Sequence, residues 1–180
     1  MMGRLDEILL NGTVRENQEY VLEQIPELKP CVGFEHRHPH HHLDVWGHTL
    51  EVCENIKSRD LETRMAALLH DIGKPFSYQD EEVRHFHGHP EVSADMTEEI
   101  LKRLGYSEDF IEDVTYLVGK HDTIIDVDNL DNRYEMILKR LELQYADARA
   151  HTPSKVGKRV RFLDEIANKL KEKHSEIEER

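Results

Sequence analysis

The sequence predicts an all-α fold, a single-domain helical bundle. Apolar residues recur at about 3.6-residue spacing along nearly the whole chain, and the β-branched alternation that marks strands is absent. The 180 residues suit one core. No internal repeat or domain linker divides them.

The elements follow in order. Thr13 and Glu16 form a capping box that predicts a first long helix, with Val14, Val21, Ile25 and Leu28 inward and a ragged end at Pro26 and Pro30. The stretch GFEHRHPHHH at 33–42 predicts a polar loop. A helix over 43–56 places Val45, Thr49, Val52, Cys53 and Ile56 on one stripe. The next carries Leu61, Met65, Leu68, Leu69 and Ile72 and stops at Gly73 and Pro75. After a polar connection at 76–88, Pro90 suits the first position of a helix that Gly105 ends. Phe110, Val114, Leu117, Val118 and His121 share the stripe of another helix. The loop DTIIDVDNLD leads to a helix over 132–150, and Thr152 and Pro153 open the last one. That helix turns Val156, Val160, Leu163, Ala167 and Leu170 inward, and its tail, KEKHSEIEER, is expected to fray.

Composition narrows the function classes. Hydrophobic residues make up 38% and charged ones 34%, ordinary values for a soluble protein. No run approaches the roughly 18 apolar residues of a membrane span. The N-terminal MMGRLDEILLNG lacks a signal-peptide pattern, so a cytoplasmic location is the default expectation. Two cysteines, Cys31 and Cys53, are too few for a disulfide framework, and Cys53 falls on an apolar stripe. Net charge is 24 − 37 = −13, which does not suit a general nucleic-acid binder. A small anionic substrate is compatible with that charge if bound metal inverts the local field. The compositional outlier is histidine, at 13 residues.

Several of these histidines point where a solvated side chain should not. His48 lies three residues after Val45 and four before Val52, so a helix aims it at the core. His121 extends an apolar stripe, and Asp147 sits between Ala146 and Ala148. A buried carboxylate needs a cation or several hydrogen bonds, because leaving it uncompensated costs several kcal/mol. A hydrogen-bonded core histidine, or for Asp147 a cap or an ion pair with Arg149, would also account for each residue singly. His70 and Asp71 end an apolar helix in RMAALLHDIGKP. They offer mixed nitrogen and oxygen donors, which suit Fe, Mn, Co, Ni or Zn better than Mg or Ca. His89, between Gly88 and Pro90, falls at a helix start. Separate helices each delivering an imidazole or carboxylate inward point to a divalent metal centre of hydrolytic type.

The ordered series His48, His70–Asp71, His89, His121 and Asp147 resembles the HD-domain metal phosphohydrolase superfamily. The segments HHLDVWGHTLEV, LLHDIGKP, HFHGHPEVSA, KHD and ADARA are similar to the HD domain of bacterial CCA-adding tRNA nucleotidyltransferases and its stand-alone relatives. The resemblance covers about residues 40–150. No strand-rich region precedes it, so it implies phosphohydrolase chemistry and not nucleotide addition. It divides the chain into a helical extension at 1–35, an HD core at 36–151 and a packing helix at 152–180. It implies His48, His70, Asp71 and Asp147 as ligands of one metal, with His89 and His121, bridged by Asp71, as those of a second. The implied cofactor is two divalent transition-metal ions, drawn from Fe, Mn, Co, Ni and Zn.

The expected reaction is in-line attack of metal-activated hydroxide on a small phosphomonoester or (cyclic) phosphodiester, nucleotide-like in character. Asp71 and Lys74 are the candidate catalytic residues. Lys74 follows HDIG and could steady the phosphate or protonate a leaving oxygen. Lys74, His42 and Arg149 are the candidate substrate-binding residues, and His41 shares the loop of His42. Solvated lysine and an Arg149 ion pair are the bland readings beside them. His85 and His87 flank Phe86 near His89, and His151 and His174 read as surface. The expected partners are a small phosphorylated substrate and, through the N-terminal helices, a second copy in a homodimer, with no membrane and no nucleic acid. Two competing functions share the scaffold: a di-iron oxygenase and a non-catalytic nucleotide-binding module.

Overall fold

The computed structural model describes residues 2–80 and 83–178, which form helices joined by short loops. The eight α-helices of the described residues are α1 (Arg4–Asn11), α2 (Gln18–Gln24), α3 (Val45–Asn55), α4 (Leu61–Leu69), α5 (His89–Arg103), α6 (Glu108–Lys120), α7 (Tyr134–Arg149) and α8 (Pro153–Glu178). Short 3₁₀ turns at Arg15–Asn17, Pro26–Cys31 and Lys74–Phe76 complete the set. Among these residues β-structure is confined to two isolated bridges, Glu35 with Asp44 and Gln79 with His85. The all-α expectation holds.

The N-terminal region departs from the single long helix expected there. Thr13 does not cap a helix start: its hydroxyl donates to Ile8 O at 3.4 Å, at the end of α1. Val14, Val21, Ile25 and Leu28 are all buried, as their spacing implies, but they lie on two 3₁₀ turns, the short α2 and the residues between. Pro26 opens the second of these turns, where its missing N–H costs nothing. Eight residues made α1 too short to stand out, although Leu5, Ile8 and Leu9 join the main core.

α4 is the axis of the bundle. From Met65 to Leu69 every residue is fully buried, so this stretch has no face to offer water and must be enclosed on all sides. Helices α1, α3, α6 and α7 enclose it, each buried Leu or Met side chain contributing about 1.5–3 kcal/mol. Asp60 caps α4 by accepting from Thr63 N at 2.9 Å, and Asp44 caps α3 from Gly47 N at 2.8 Å. Both cysteines are buried and unbridged. A second apolar cluster, including Ile137, Leu141, Leu163, Ile166 and Leu170, joins α7 to α8. The C-terminal tail does not fray as expected. It stays helical to Glu178, held by an ion pair of Lys173 with Asp128 and by the His174 ring stacked 4.0 Å from Tyr134. Residues 179–180 of that tail lie outside the described residues. No described helix is long and apolar enough to cross a membrane.

One buried cation ties three elements together. The Arg64 guanidinium donates to Leu9 O (3.1 Å), Ile56 O (3.2 Å) and Ser58 O (2.7 Å). Arg64→Met keeps the apolar stem but removes a donor from all three carbonyls, leaving Leu9 O with the Gly12 N–H alone. Urea unfolding should show a loss of about 2–4 kcal/mol, with an unchanged m-value; a loss below 0.5 kcal/mol would mean water satisfies those carbonyls.

Candidate metal centre

Helix ends converge on one point beside α4. His70 caps the C-terminus of α4, His121 that of α6, and Asp147 lies in the last turn of α7. Three helix C-termini therefore direct their partial negative charge at the same place, which favours a cation. His48 comes from the first turns of α3 and His89 is the first residue of α5. All six expected ligands are buried, Asp71 at 2% exposure and His48 and His70 at 0%.

Backbone carbonyls determine which way each imidazole faces. Nδ1 of His70 lies 2.7 Å from Ala67 O, that of His89 2.9 Å from Phe86 O, and that of His121 2.6 Å from Val118 O. Nδ1 of His48 lies 3.3 Å from Ala150 O. A carbonyl can only accept, so each Nδ1 carries the proton, and in the neutral ring Nε2 is left as a bare lone pair. Those Nε2 atoms meet at Asp71. Its Oδ2 is 3.2 Å from His70 Nε2 and 3.5 Å from His48 Nε2. Its Oδ1 is 3.2 Å from His89 Nε2 and 3.4 Å from His121 Nε2. Asp147 Oδ1 closes the first group, 2.8 Å from His48 Nε2 and 3.5 Å from His70 Nε2.

These donors fit divalent metal ions. His89 Nε2 and His121 Nε2 face each other at 3.2 Å, an approach that two lone pairs tolerate only with a cation or proton between them. His70 Nε2 and Asp71 Oδ2 are buried with no hydrogen-bond partner. The ligand atoms fall into two sets, His48, His70, Asp71 and Asp147, and Asp71, His89 and His121, each within 4.8 Å of one another. Protons are what the cluster can hold in a cation's place. Burial pushes the His70 imidazole down, but Asp71 and Asp147 beside it win and raise its pKa to about 10. Burial likewise opposes the charge of Asp71, yet the charges of His70 and Lys74 hold its carboxyl well below the usual range. Burial also works against the Asp147 carboxylate, which the neighbouring His48 and His70 imidazoles keep well below the usual range.

A second layer surrounds the ligands. Lys74, buried, sets Nζ 3.1 Å from Asp71 Oδ2 and 3.0 Å from His36 Nε2. Burial and the neighbouring Lys74 charge lower His36 to about 3, so it stays neutral. Its Nδ1–H donates to Leu43 O at 2.8 Å and its Nε2 accepts from Lys74. A cavity of about 350 Å³ opens over the ligands, lined among others by Asp71, Lys74, Arg84, His89, Asp122 and Arg159.

Not every expected contact is brought here. His42 is exposed and Arg149 lies over the Tyr145 ring at 5.0 Å, and neither lines the cavity. Arg149 follows Asp147 by two residues, about 200° around a helix, so the two cannot face one way. His41 does line it, stacked on His36 with ring centres 3.9 Å apart and tilted against His151 at 4.6 Å. His85 and His87 also line it. His151, expected at the surface, is buried and donates from Nδ1 to Asp147 O at 2.7 Å; its place four residues after Asp147 was the available signal. Asp122 approaches His89 Nε2 to 3.4 Å. His36 belongs to the histidine-rich loop, whereas Arg84 and Arg159 carry no sequence signal of their own.

Comparison with known proteins agrees with this geometry. The family described as HD domain matches residues 40–178. The A-adding tRNA nucleotidyltransferase of Deinococcus radiodurans is 33% identical over 150 residues, covering 74% of this chain and 34% of that protein. The CC-adding tRNA nucleotidyltransferase of Thermus thermophilus is 38% identical over 104 residues, covering 54% of this chain and 24% of that protein. The chain thus spans about a third or less of the length of these relatives.

Two measurements test the geometry. Metal-free His70, with its pKa raised to about 10, is protonated at pH 8, below that value. Metal loading at pH 8 should therefore release about one proton, read by calorimetry in buffers of differing ionisation enthalpy; zero release would refute a protonated His70. Gly73 is where α5 presses on the turn after α4: a Cβ there would come within 2.7 Å of Ser93 N and 2.8 Å of Ser93 Oγ. Gly73→Ala should push α5 and His89 outward and reduce the metal held per chain, with little change in helicity. Full metal content in that variant would show that α5 yields without moving His89.

Proposed function

This chain belongs to the HD-domain family, and on that premise we propose that it is a metal-dependent phosphohydrolase. Its proposed substrate is a small phosphomonoester or (cyclic) phosphodiester of nucleotide-like character. The observation that carries the proposal is the shared carboxylate of Asp71, whose two oxygens face two different groups of imidazoles. In this reading His48, His70, Asp71 and Asp147 would hold one ion, and Asp71, His89 and His121 a second. The mixed donors suit Fe, Mn, Co, Ni or Zn. Divalent ions so held supply Lewis acidity toward a phosphoryl oxygen and a water pKa lowered toward neutrality.

The side chains around them do the rest. Asp71 fixes the spacing of the two ligand groups. Lys74, held by His36 at 3.0 Å, presents an ammonium to the cavity, where it can pair with a phosphoryl oxygen or protonate the leaving oxygen. Arg84 and Arg159, which also line the cavity, draw an anion into a chain of net charge −13. The named relatives act on tRNA, but the acidic balance of this chain supports a small substrate better.

The test is a metal determination on purified protein, followed by a phosphoester screen with Mn, Fe, Co, Ni, Zn and Mg. At least one ester should be turned over, and His70→Ala and Asp71→Ala should each lose metal and 100-fold or more in kcat, roughly, as for loss of an electrostatic stabiliser. Bound metal with no ester hydrolysed would sink the proposal and favour dioxygen chemistry or binding without turnover.

A further inference from the structure

A second cavity, of about 400 Å³, adjoins the first and shares His121, Asp122, Asp147 and Arg159 with it. Its apolar side is unusually open to water: Ile124 is 65% and Phe162 44% exposed. Its charged side comes from the first turns of α8. Lys155, Lys158 and Arg159 stand at i, i+3 and i+4, so they share one helix face, and Phe162 continues it one turn on.

Several surface cations elsewhere have a carboxylate partner. Arg15 pairs with Glu54, Lys102 with Glu98, Arg103 with Glu27 and Arg133 with Asp113. Among the described residues no carboxylate pairs with Lys155, Lys158 or Arg159, and Arg159 meets only the His40 ring, at 3.3 Å. In a chain with 37 acidic and 24 basic residues, three such cations beside an open aromatic ring form a local reversal of charge. A flat ring with an attached anion complements that surface, because the ring can stack on Phe162 while the anion meets the lysines.

We infer that this groove seats the leaving-group side of the substrate, a heteroaromatic ring that carries a second anionic group. Its orientation rests on the hydrolase reading, since the groove is continuous with the metal ligands at His121 and Asp147. Arg159 lines both cavities and so stands at the junction, next to the reacting phosphate. Lys155 and Lys158 line only the second cavity and are left for the second anion. Phe162 and Ile124 set the preference for a ring. The preferred substrate class is therefore a nucleoside bearing two phosphates at separate positions, with one phosphate at the metals and the other on α8.

The full chain as purified is titrated with adenosine 3′,5′-bisphosphate, AMP and glycerol 2-phosphate by thermal shift and calorimetry, and the same ligands are assayed for phosphate release. Binding should tighten at least about tenfold from glycerol 2-phosphate to AMP, and again to the bisphosphate. Lys155→Ala/Lys158→Ala should erase the second step and Phe162→Ala the first, both leaving glycerol 2-phosphate unchanged. Three ligands bound alike, or steps that survive these substitutions, would overturn the groove assignment whether or not esters are hydrolysed. Steps that follow the substitutions with no phosphate released from any ester would leave the groove standing and overturn the hydrolase reading alone.

Discussion

A carboxylate buried just beyond the apolar end of a helix has to be neutralised, and Asp71 imposes that demand on everything around it. Both of its oxygens are enclosed, one facing His48, His70 and Lys74 and the other facing His89 and His121. Burying an uncompensated carboxylate costs several kcal/mol, so such a residue is kept only where cations meet it. Backbone carbonyls at Ala67, Phe86, Val118 and Ala150 take the Nδ1 protons and leave the Nε2 lone pairs inward. The candidate ligand set is thus oriented by main-chain atoms of four separate segments, the kind of second layer that can hold metal ligands in place.

The rest of the bundle serves that convergence. α4 supplies an axis whose Met65–Leu69 stretch has no polar face, and α3, α6 and α7 pack on it, so helix ends and not loops deliver five of the six candidate ligands. Gly73 lets α5 approach the turn after α4 without a side chain between them, and Ser93 Oγ accepts from its N–H at 2.8 Å. Gly88, with φ of +79°, turns the chain so that His89 opens α5. The acids concentrated in the cluster repel one another less than their number suggests, because imidazoles and Lys74 separate them.

Much of this was legible in the sequence, and the misses have physical causes. His48, His121 and Asp147 betrayed themselves as polar residues on apolar helical stripes, a signal that survives without any tertiary knowledge. Arg149 and His42 were misplaced because neighbours in sequence diverge by about 100° per residue on a helix and freely in a loop. Arg84 and Arg159 left no local trace, since a loop on one side and α8 on the other bring them to the cavity from distant segments. The Thr13–Glu16 pattern looked like a helix start, but its hydroxyl is used at the end of α1, too short a helix for periodicity to reveal. The tail of α8 is polar enough to fray by composition, but Lys173 and His174 in it meet Asp128 and Tyr134.

Electrostatics links the metal centre to its surroundings. An acidic chain disfavours anions in general, and the exceptions cluster at one place: Lys74, Arg84 and Arg159 around the ligands, with Lys155 and Lys158 beyond them. Metal ions at Asp71 would complete that reversal. Anomalous diffraction from crystals of the metal-loaded protein, recorded at the absorption edge of the bound metal, tests this most directly. Two peaks are expected, one contacting His48, His70 and Asp147 and the other His89 and His121, with the Asp71 carboxylate touching both. A single peak, or any metal bound without contact to Asp71, would contradict it.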